Sequence, residues 1–144
     1  MVSDLVLTEH HCIGAVVDDK PVAMASYGID VHEIQRIAYQ DLVFREGKSP
    51  ASVRVKPYSI GYDAIVPKES ECTNILVTFA VSASHVAFGS VRMEPTFMML
   101  SQSAATAACQ MIDHHSTIQE VDYARLRQKI LDDGQILSLP APEQ

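Results

Sequence analysis

The sequence has no tryptophan, no cluster of basic residues and no apolar stretch of the roughly 18 residues that span a membrane. Eleven lysines and arginines stand against eighteen acidic residues in 144 positions, which gives a net charge of −7 at pH 7. Nucleic acids and anionic membranes bind clustered basic side chains, so we expect neither as a partner. The hydrophobic content of 47% still suffices for one buried core.

Cysteine is also scarce. Cys12, Cys72 and Cys109 are odd in number, far apart and never in a CxxC pair, so we predict three buried, reduced thiols. Unpaired thiols favour a reducing compartment such as the cytoplasm without identifying it. Two histidine doublets, at 10–11 and 114–115, do not predict a metal site, because adjacent helical side chains point about 100° apart.

The first half of the chain predicts short, partly antiparallel elements. Thr8 is placed to cap a short helix through its hydroxyl. Strands are predicted at 22–27 and 53–60, the second from its alternation of apolar and polar side chains. Residues 45–50 predict a surface loop, and residues 65–72 predict a further short strand with a charged turn.

The second half predicts a strand, a loop and two helices. Residues 74–81 form a nearly continuous apolar run, which is typical of a strand covered on both faces. A polar loop at 82–94 follows, and Pro95 opens a helix over 95–112. A last helix is predicted near 122–134, with glycine at its end. The fold class is therefore α/β, or α+β for this chain taken alone.

Two motifs join the apolar run to the proline-opened helix, namely Ser-Ala-Ser-His at 82–85 and Gly-Ser-Val-Arg-Met-Glu-Pro at 89–95. Further characteristic segments lie at 27–32, 65–77, 101–108 and 121–126. Together these segments resemble the C-terminal end of FAD-dependent oxidoreductases, which are large flavoproteins of the glutathione-reductase-like superfamily. The resemblance covers most of residues 5–137 and is most specific over 57–112.

The resemblance implies that FAD is the cofactor and that two distant pieces form its site. An N-terminal glycine-rich βαβ unit would hold the adenine nucleotide and the pyrophosphate, and a C-terminal strand, loop and helix would close over the flavin ring. The present sequence includes no GxGxxG motif, so the missing partner of this chain would be that nucleotide-binding region. Residues 1–56 would end a partly antiparallel substrate-side region, and residues 57–144 would close the FAD-binding domain. Ser101 stands where family members usually carry glycine.

The resemblance also implies which residues face the flavin. They are Ser84, His85, Gly89, Ser90, Arg92, Met93, Glu94, Thr96 and Phe97. His85 is the candidate proton donor or substrate contact, and Arg92 is the second candidate catalytic side chain. Backbone N–H groups at the helix start, those of Thr96 and Phe97, would stabilise negative charge on the flavin. His32 is the candidate on the substrate side, and no metal ligands are predicted.

Structural explanations stay open for each of these side chains. Arg92 could pair with Glu94 or with a backbone carbonyl, and His85 could bond to local backbone. His32 could form an ordinary surface pair with Asp30.

The sequence therefore predicts the C-terminal portion of an FAD-dependent oxidoreductase that acts on a small-molecule substrate. It would supply the flavin-ring side of the site and be inactive by itself. The alternative is a non-catalytic remnant, or an interaction module, that lacks the nucleotide-binding half.

Overall fold

The computed structural model describes residues 1–47 and 55–139. Short antiparallel strands precede a mainly helical second half in this part of the chain, which confirms the α+β expectation. The helices are α1 (Glu9–Cys12), α2 (His85–Val91), α3 (Glu94–His114) and α4 (Tyr123–Asp132). The strands are β1 (Pro21–Ala25), β2 (Gln35–Tyr39), β3 (Leu42–Glu46) and β4 (Tyr58–Gly61).

The core lies between helix α3 and the antiparallel pair β1–β4, in which Ala23 faces Ile60. Small residues line the buried side of α3, so the helix approaches the sheet closely. The buried Ser103 hydroxyl donates to the Val22 carbonyl at 2.6 Å, which joins helix and strand through a polar contact inside the core. The buried side chains of α4, Leu126 and Ile130, belong to the same hydrophobic core.

The two long helices lie where the sequence predicted them. Helix α3 carries proline in its first turn and ends at His114, and the next residue, His115, has a φ of 53° in the left-handed region. Helix α4 follows Asp122, whose carboxylate accepts the Ala124 N–H at 3.0 Å and the Arg125 N–H at 3.2 Å. These bonds satisfy amides that a helix start leaves without partners.

The predicted strand at 74–81 and the predicted loop at 82–94 are both wrong. Residues 74–81 form no strand, because no neighbouring strand pairs with them in the described part of the chain. Residues expected in the loop instead form α2, and the Ser84 hydroxyl caps this helix by accepting the Ala87 N–H at 3.2 Å. Serine is among the preferred residues at this position, so the signal was present in the sequence.

The first half differs from expectation mainly at the hairpin β2–β3, which the sequence did not predict. Its two-residue turn, Gln40 and Asp41, has positive φ at both positions, and glutamine is not a typical residue there. The predicted loop at 45–50 is corrected at its start, since β3 continues to Glu46. The remainder of that loop from residue 48 lies outside the described residues.

The other short predictions have mixed outcomes. Helix α1 begins directly after Thr8, as predicted. Strands β1 and β4 overlap the two predicted segments, and residues 53 and 54 of the second segment lie outside the described ranges. The predicted strand at the start of 65–72 is wrong, whereas its turn is confirmed by the Glu71 N–H, which donates to the Lys68 carbonyl at 2.9 Å.

The three cysteines are free thiols, as expected, but only Cys12 is buried. Cys72 is half-buried and Cys109 is exposed, so the prediction of burial is wrong for these two. Within the described ranges, no helix combines the length and the apolar character needed to cross a lipid bilayer.

We expect Leu100→Ala to lower the free energy of unfolding by about 2–5 kcal/mol, because Leu100 is fully buried in α3 and its loss leaves a cavity. The matched control is Met98→Ala in the same helix, whose side chain is 71% exposed and whose effect should stay within about 0.5 kcal/mol. Urea denaturation followed by circular dichroism measures both. Equal effects of the two substitutions would contradict the packing of α3.

Candidate functional site

The candidate site forms where α2 lies against the segment that contains Asp30. The Asp30 N–H donates to the Gly89 carbonyl at 3.4 Å. A β-carbon added at Gly89 would lie only 2.9 Å from the Asp30 carbonyl oxygen, a distance that real β-carbons essentially never show. Glycine in the middle of this helix therefore permits the approach of the two segments.

Asp30 contacts both His32, which was predicted on the substrate side, and Arg92, which was predicted on the flavin side. Its carboxylate accepts a hydrogen bond from Arg92 Nη2 at 3.1 Å and lies 3.1 Å from His32 Nε2. Arg92 Nη2 is itself 3.2 Å from His32 Nε2. The structure thus brings His32 and Arg92 together around one carboxylate, and Arg92 pairs with Asp30 rather than with Glu94.

Because Arg92 contacts its carboxylate, Asp30 belongs to the candidate site. The sequence indicated Asp30 only as a possible surface partner of His32. Asp30 and Arg92 are 62 positions apart, so no local spacing could have joined them. Segment 27–32, which contains Asp30, contributes to the family resemblance, and this was the available sequence signal for Asp30.

A cleft of about 390 Å³ opens beside this cluster, a volume within the usual range for small-molecule sites. Its lining includes His32, His85, Gly89 and Arg92 together with Phe88. A second cavity of about 580 Å³ shares several lining residues with it and extends along the start of β2. The two cavities thus place the base of the hairpin next to the predicted flavin-side residues.

The polar groups of the cleft can bind and protonate a ligand. The Arg92 side chain lines the cleft and is 36% exposed, although its Nε atom is itself buried without a hydrogen-bond partner. The His85 and His32 rings are exposed, and an imidazole can take up or release a proton near neutral pH. A guanidinium fixed by Asp30 can stabilise negative charge that develops on a bound molecule.

The start of α3 lies beside the cleft through the contact between Phe88 and Phe97, whose ring centroids are 6.5 Å apart. Glu94 is exposed, Met93 is half-buried and Thr96 is buried. The Phe97 N–H donates to the Met93 carbonyl at 3.1 Å, so the expectation that this amide is a free donor is wrong. An amide in the fourth helical position already has an intrahelical acceptor.

Ser90 and Ser84 have structural roles in this fold. Ser90 is fully buried, and its hydroxyl lies 2.7 Å from the Tyr58 hydroxyl and donates to the Tyr27 carbonyl. The Ser90 hydroxyl thus ties α2 to β4 inside the core, and the place of Ser90 beside the flavin stays a prediction. Ser84 caps α2 through its hydroxyl.

Burial near Ser90 also raises the pKa values of neighbouring side chains. Burial raises the pKa of the Cys12 thiol, and it also raises the pKa of the Tyr58 phenol. Tyr62, whose hydroxyl donates to the Ile118 carbonyl at 2.9 Å, has its pKa raised by burial as well. These three groups support the core rather than the cleft.

Among the residues that the structure describes, no three histidine, cysteine or acidic side chains are grouped so as to hold a metal ion.

Comparison with known families identifies the family of this chain. The family model described as FAD dependent oxidoreductase matches residues 1–130, which is most of the chain. No curated protein and no solved structure matches the chain significantly.

We expect Gly89→Ala to destabilise the fold. Alanine in a helix interior normally gains about 1 kcal/mol over glycine, but here its β-carbon would collide with the Asp30 carbonyl. Urea denaturation measures the sign directly. A gain in stability of about 1 kcal/mol would show that α2 and the Asp30 segment do not approach each other this closely.

Stability should fall as the pH rises above about 8.5. The folded-state pKa values of Cys12, Tyr58 and Tyr62 are raised above those of the unfolded chain, so their contribution is complete below about pH 8.5 and is lost at higher pH. Melting temperatures at pH 7.5, 9 and 10.5 test this. Tyr58→Phe should flatten the decline between pH 9 and 10.5, whereas a constant melting temperature in the unaltered protein would refute the burial of these groups.

Proposed function

Because the chain belongs to the FAD dependent oxidoreductase family, we propose that it is the C-terminal portion of such an enzyme and forms the flavin-ring side of its FAD site. The family implies FAD as the cofactor and a flavin-related oxidoreductase function. The proposal places the enzyme in the glutathione-reductase-like superfamily. The observation that carries it is the cleft that gathers His32, His85 and Arg92 next to the start of α3.

The residues of the cleft fit a flavin on two counts. The guanidinium of Arg92, which lines the cleft and is partly exposed, offers charged donors to an electron-rich ring edge. Gly89 lines the cleft and permits the Asp30 segment to approach α2, which brings the Asp30 carboxylate to Arg92. In the proposal, Arg92, His85, Gly89, Met93 and Thr96 hold the ring, while Phe97 contributes its side chain rather than its amide.

Bound FAD would supply the capacity to accept and donate a hydride or electrons. The chain supplies charge and protons around it. Arg92, oriented by the Asp30 carboxylate, presents a fixed positive charge to the ligand. His85 exchanges a proton at the open side of the cleft, and His32 contacts the small-molecule substrate.

The proposal divides the chain at residue 56. Residues 1–56 end the substrate-side region, in agreement with the cavity that follows the start of β2, and residues 57–144 close the FAD-binding domain. The sequence contains no GxGxxG motif, so a separate nucleotide-binding βαβ unit has to hold the pyrophosphate.

One observation favours the competing interpretation of an interaction module. Every residue of β2 and β3 is exposed, and one face of this hairpin is apolar. That face consists of Ile37, Tyr39, Leu42 and Phe44. A two-stranded hairpin alone is marginally stable, so this face is suited to cover another surface whether or not the chain binds FAD.

The decisive experiment compares FAD binding by the chain alone and by the chain co-expressed with the βαβ unit encoded in frame with it or beside it. Alone, the chain should bind FAD more weakly than micromolar, because the pyrophosphate cradle is absent. Together, the two should purify with bound flavin, visible in the absorption spectrum.

The variant Arg92→Gln should weaken flavin retention by about tenfold or more, since it removes a charged hydrogen-bond donor. The control Lys68→Gln, in an exposed turn, should change nothing. If no GxGxxG unit is encoded nearby, or if the purified pair is colourless, the interpretation as a remnant or interaction module replaces the enzyme.

A further inference from the structure

The cavity of about 580 Å³ at the base of the hairpin has a mainly polar lining, which consists of Asp30, His32, Glu33, Ile34, Gln35 and Arg36. It shares Asp30, His32, Glu33 and Ile34 with the cleft assigned to the flavin. A molecule bound in this cavity would therefore border a ring held in the cleft. We call it the hairpin cavity.

Both carboxylates of the hairpin cavity are already bonded within the protein. Glu33 accepts from Arg36 Nε at 2.9 Å through one oxygen and lies 3.0 Å from Arg45 Nη1 through the other. Its side chain is only 16% exposed. The Asp30 carboxylate accepts from Arg92 at 3.1 Å. Each carboxylate is thus neutralised by a guanidinium, and neither is needed as a partner for a bound cation.

The basic side chains, in contrast, present donors to the hairpin cavity. A guanidinium has five N–H donors, and the bond from Arg36 to Glu33 uses the one on Nε. The Arg36 side chain is 68% exposed, so a ligand in the cavity can reach it. The exposed ring of His32 adds a further polar group. The hairpin cavity therefore offers a ligand mainly positive charge and hydrogen-bond donors.

This concentration of positive side chains is local. Three of the six arginines in the sequence lie at or next to the two cavities, although the whole chain has a net charge of −7. They are Arg36, Arg45 and Arg92. A chain with this net charge repels anions at long range, so a preference for anions would be a property of the cavities themselves.

We infer that the substrate bound in the hairpin cavity is a small carboxylate, an inference that rests on the proposed function. Arg36 binds the carboxylate group, because a planar guanidinium matches its two oxygens. The exposed Ile34 side chain contacts the aliphatic part of the molecule. His32 lines both cavities and contacts the substrate where it borders the flavin. Glu33 is a positioning residue, since it acts on the substrate only by orienting Arg36.

Nuclear magnetic resonance of the ¹⁵N-labelled chain tests this inference without any flavin. The chain is titrated with butyrate, with the neutral butyramide and with butylammonium, at pH 7 and low ionic strength. Butyrate should shift the amide signals of residues 32–36 and saturate at millimolar concentration. Its affinity should exceed that of both other compounds by about tenfold or more, because only butyrate pairs with a guanidinium.

Three variants assign the binding to its residues. Arg36→Gln should weaken butyrate binding by about tenfold, since a charged donor is lost. The control Arg127→Gln, on the exposed side of α4 and outside both cavities, should leave binding unchanged. Glu33→Gln removes a negative charge, which would strengthen anion binding if net charge alone mattered. Weaker binding by Glu33→Gln supports its positioning role, and tighter binding contradicts it. Unchanged amide signals outside the hairpin show that each variant is folded.

The outcomes separate the substrate class from the proposed function. Equal binding of butyrate and butyramide, a preference for butylammonium, or signal shifts spread over the whole surface would each overturn the carboxylate. A pair that purifies yellow, but whose chain shows no preference for butyrate, loses the substrate class and keeps the function. A chain that binds butyrate in the hairpin cavity, but whose co-expressed pair is colourless, keeps an anion site and loses the function.

Discussion

The close packing of α3 on β1 is the constraint on which the rest of the structure depends. Small buried residues along α3 bring the helix near enough for Ser103 to donate to the Val22 carbonyl. The side-chain amide of Gln135, which follows α4, donates to the same Ser103 hydroxyl at 3.0 Å. The end of the last helix is therefore fixed to this point as well. Strand, long helix and C-terminal segment therefore share one buried polar contact, and the start of α3 is positioned by it.

The candidate site depends on a second close approach, that of Gly89 to Asp30. This approach allows one carboxylate to reach both Arg92 and His32, which no single element could bring together. The Arg92 and Asp30 side chains are 36% and 40% exposed, so their ion pair contributes little to stability and mainly orients the guanidinium. A fixed cation beside two exposed imidazoles is useful chemically only if a ligand occupies the cleft.

Sequence patterns predicted what depends on local chemistry. Helices α3 and α4 were predicted from local signals: the proline at the start of α3, the aspartate before α4 and the glycine after α4. Such signals are visible in the sequence because caps act on neighbouring amides. Threonine before α1 was a signal of the same kind. The structural role of Ser90 was not predicted because its partner, the Tyr58 hydroxyl, lies 32 positions away. Asp30 was missed as a partner of Arg92 for the same reason, since a long-range contact has no periodicity to reveal it.

The mistaken strand at 74–81 has a different cause. Strand preference expresses how well side chains fit a pleated, covered surface, and it takes effect only where a neighbouring strand supplies the ladder. Residues 82–84 have such a neighbour in Leu7 and pair with it, whereas residues 75–80 have none in the described ranges. The composition of the run thus predicts a neighbour more reliably than a conformation.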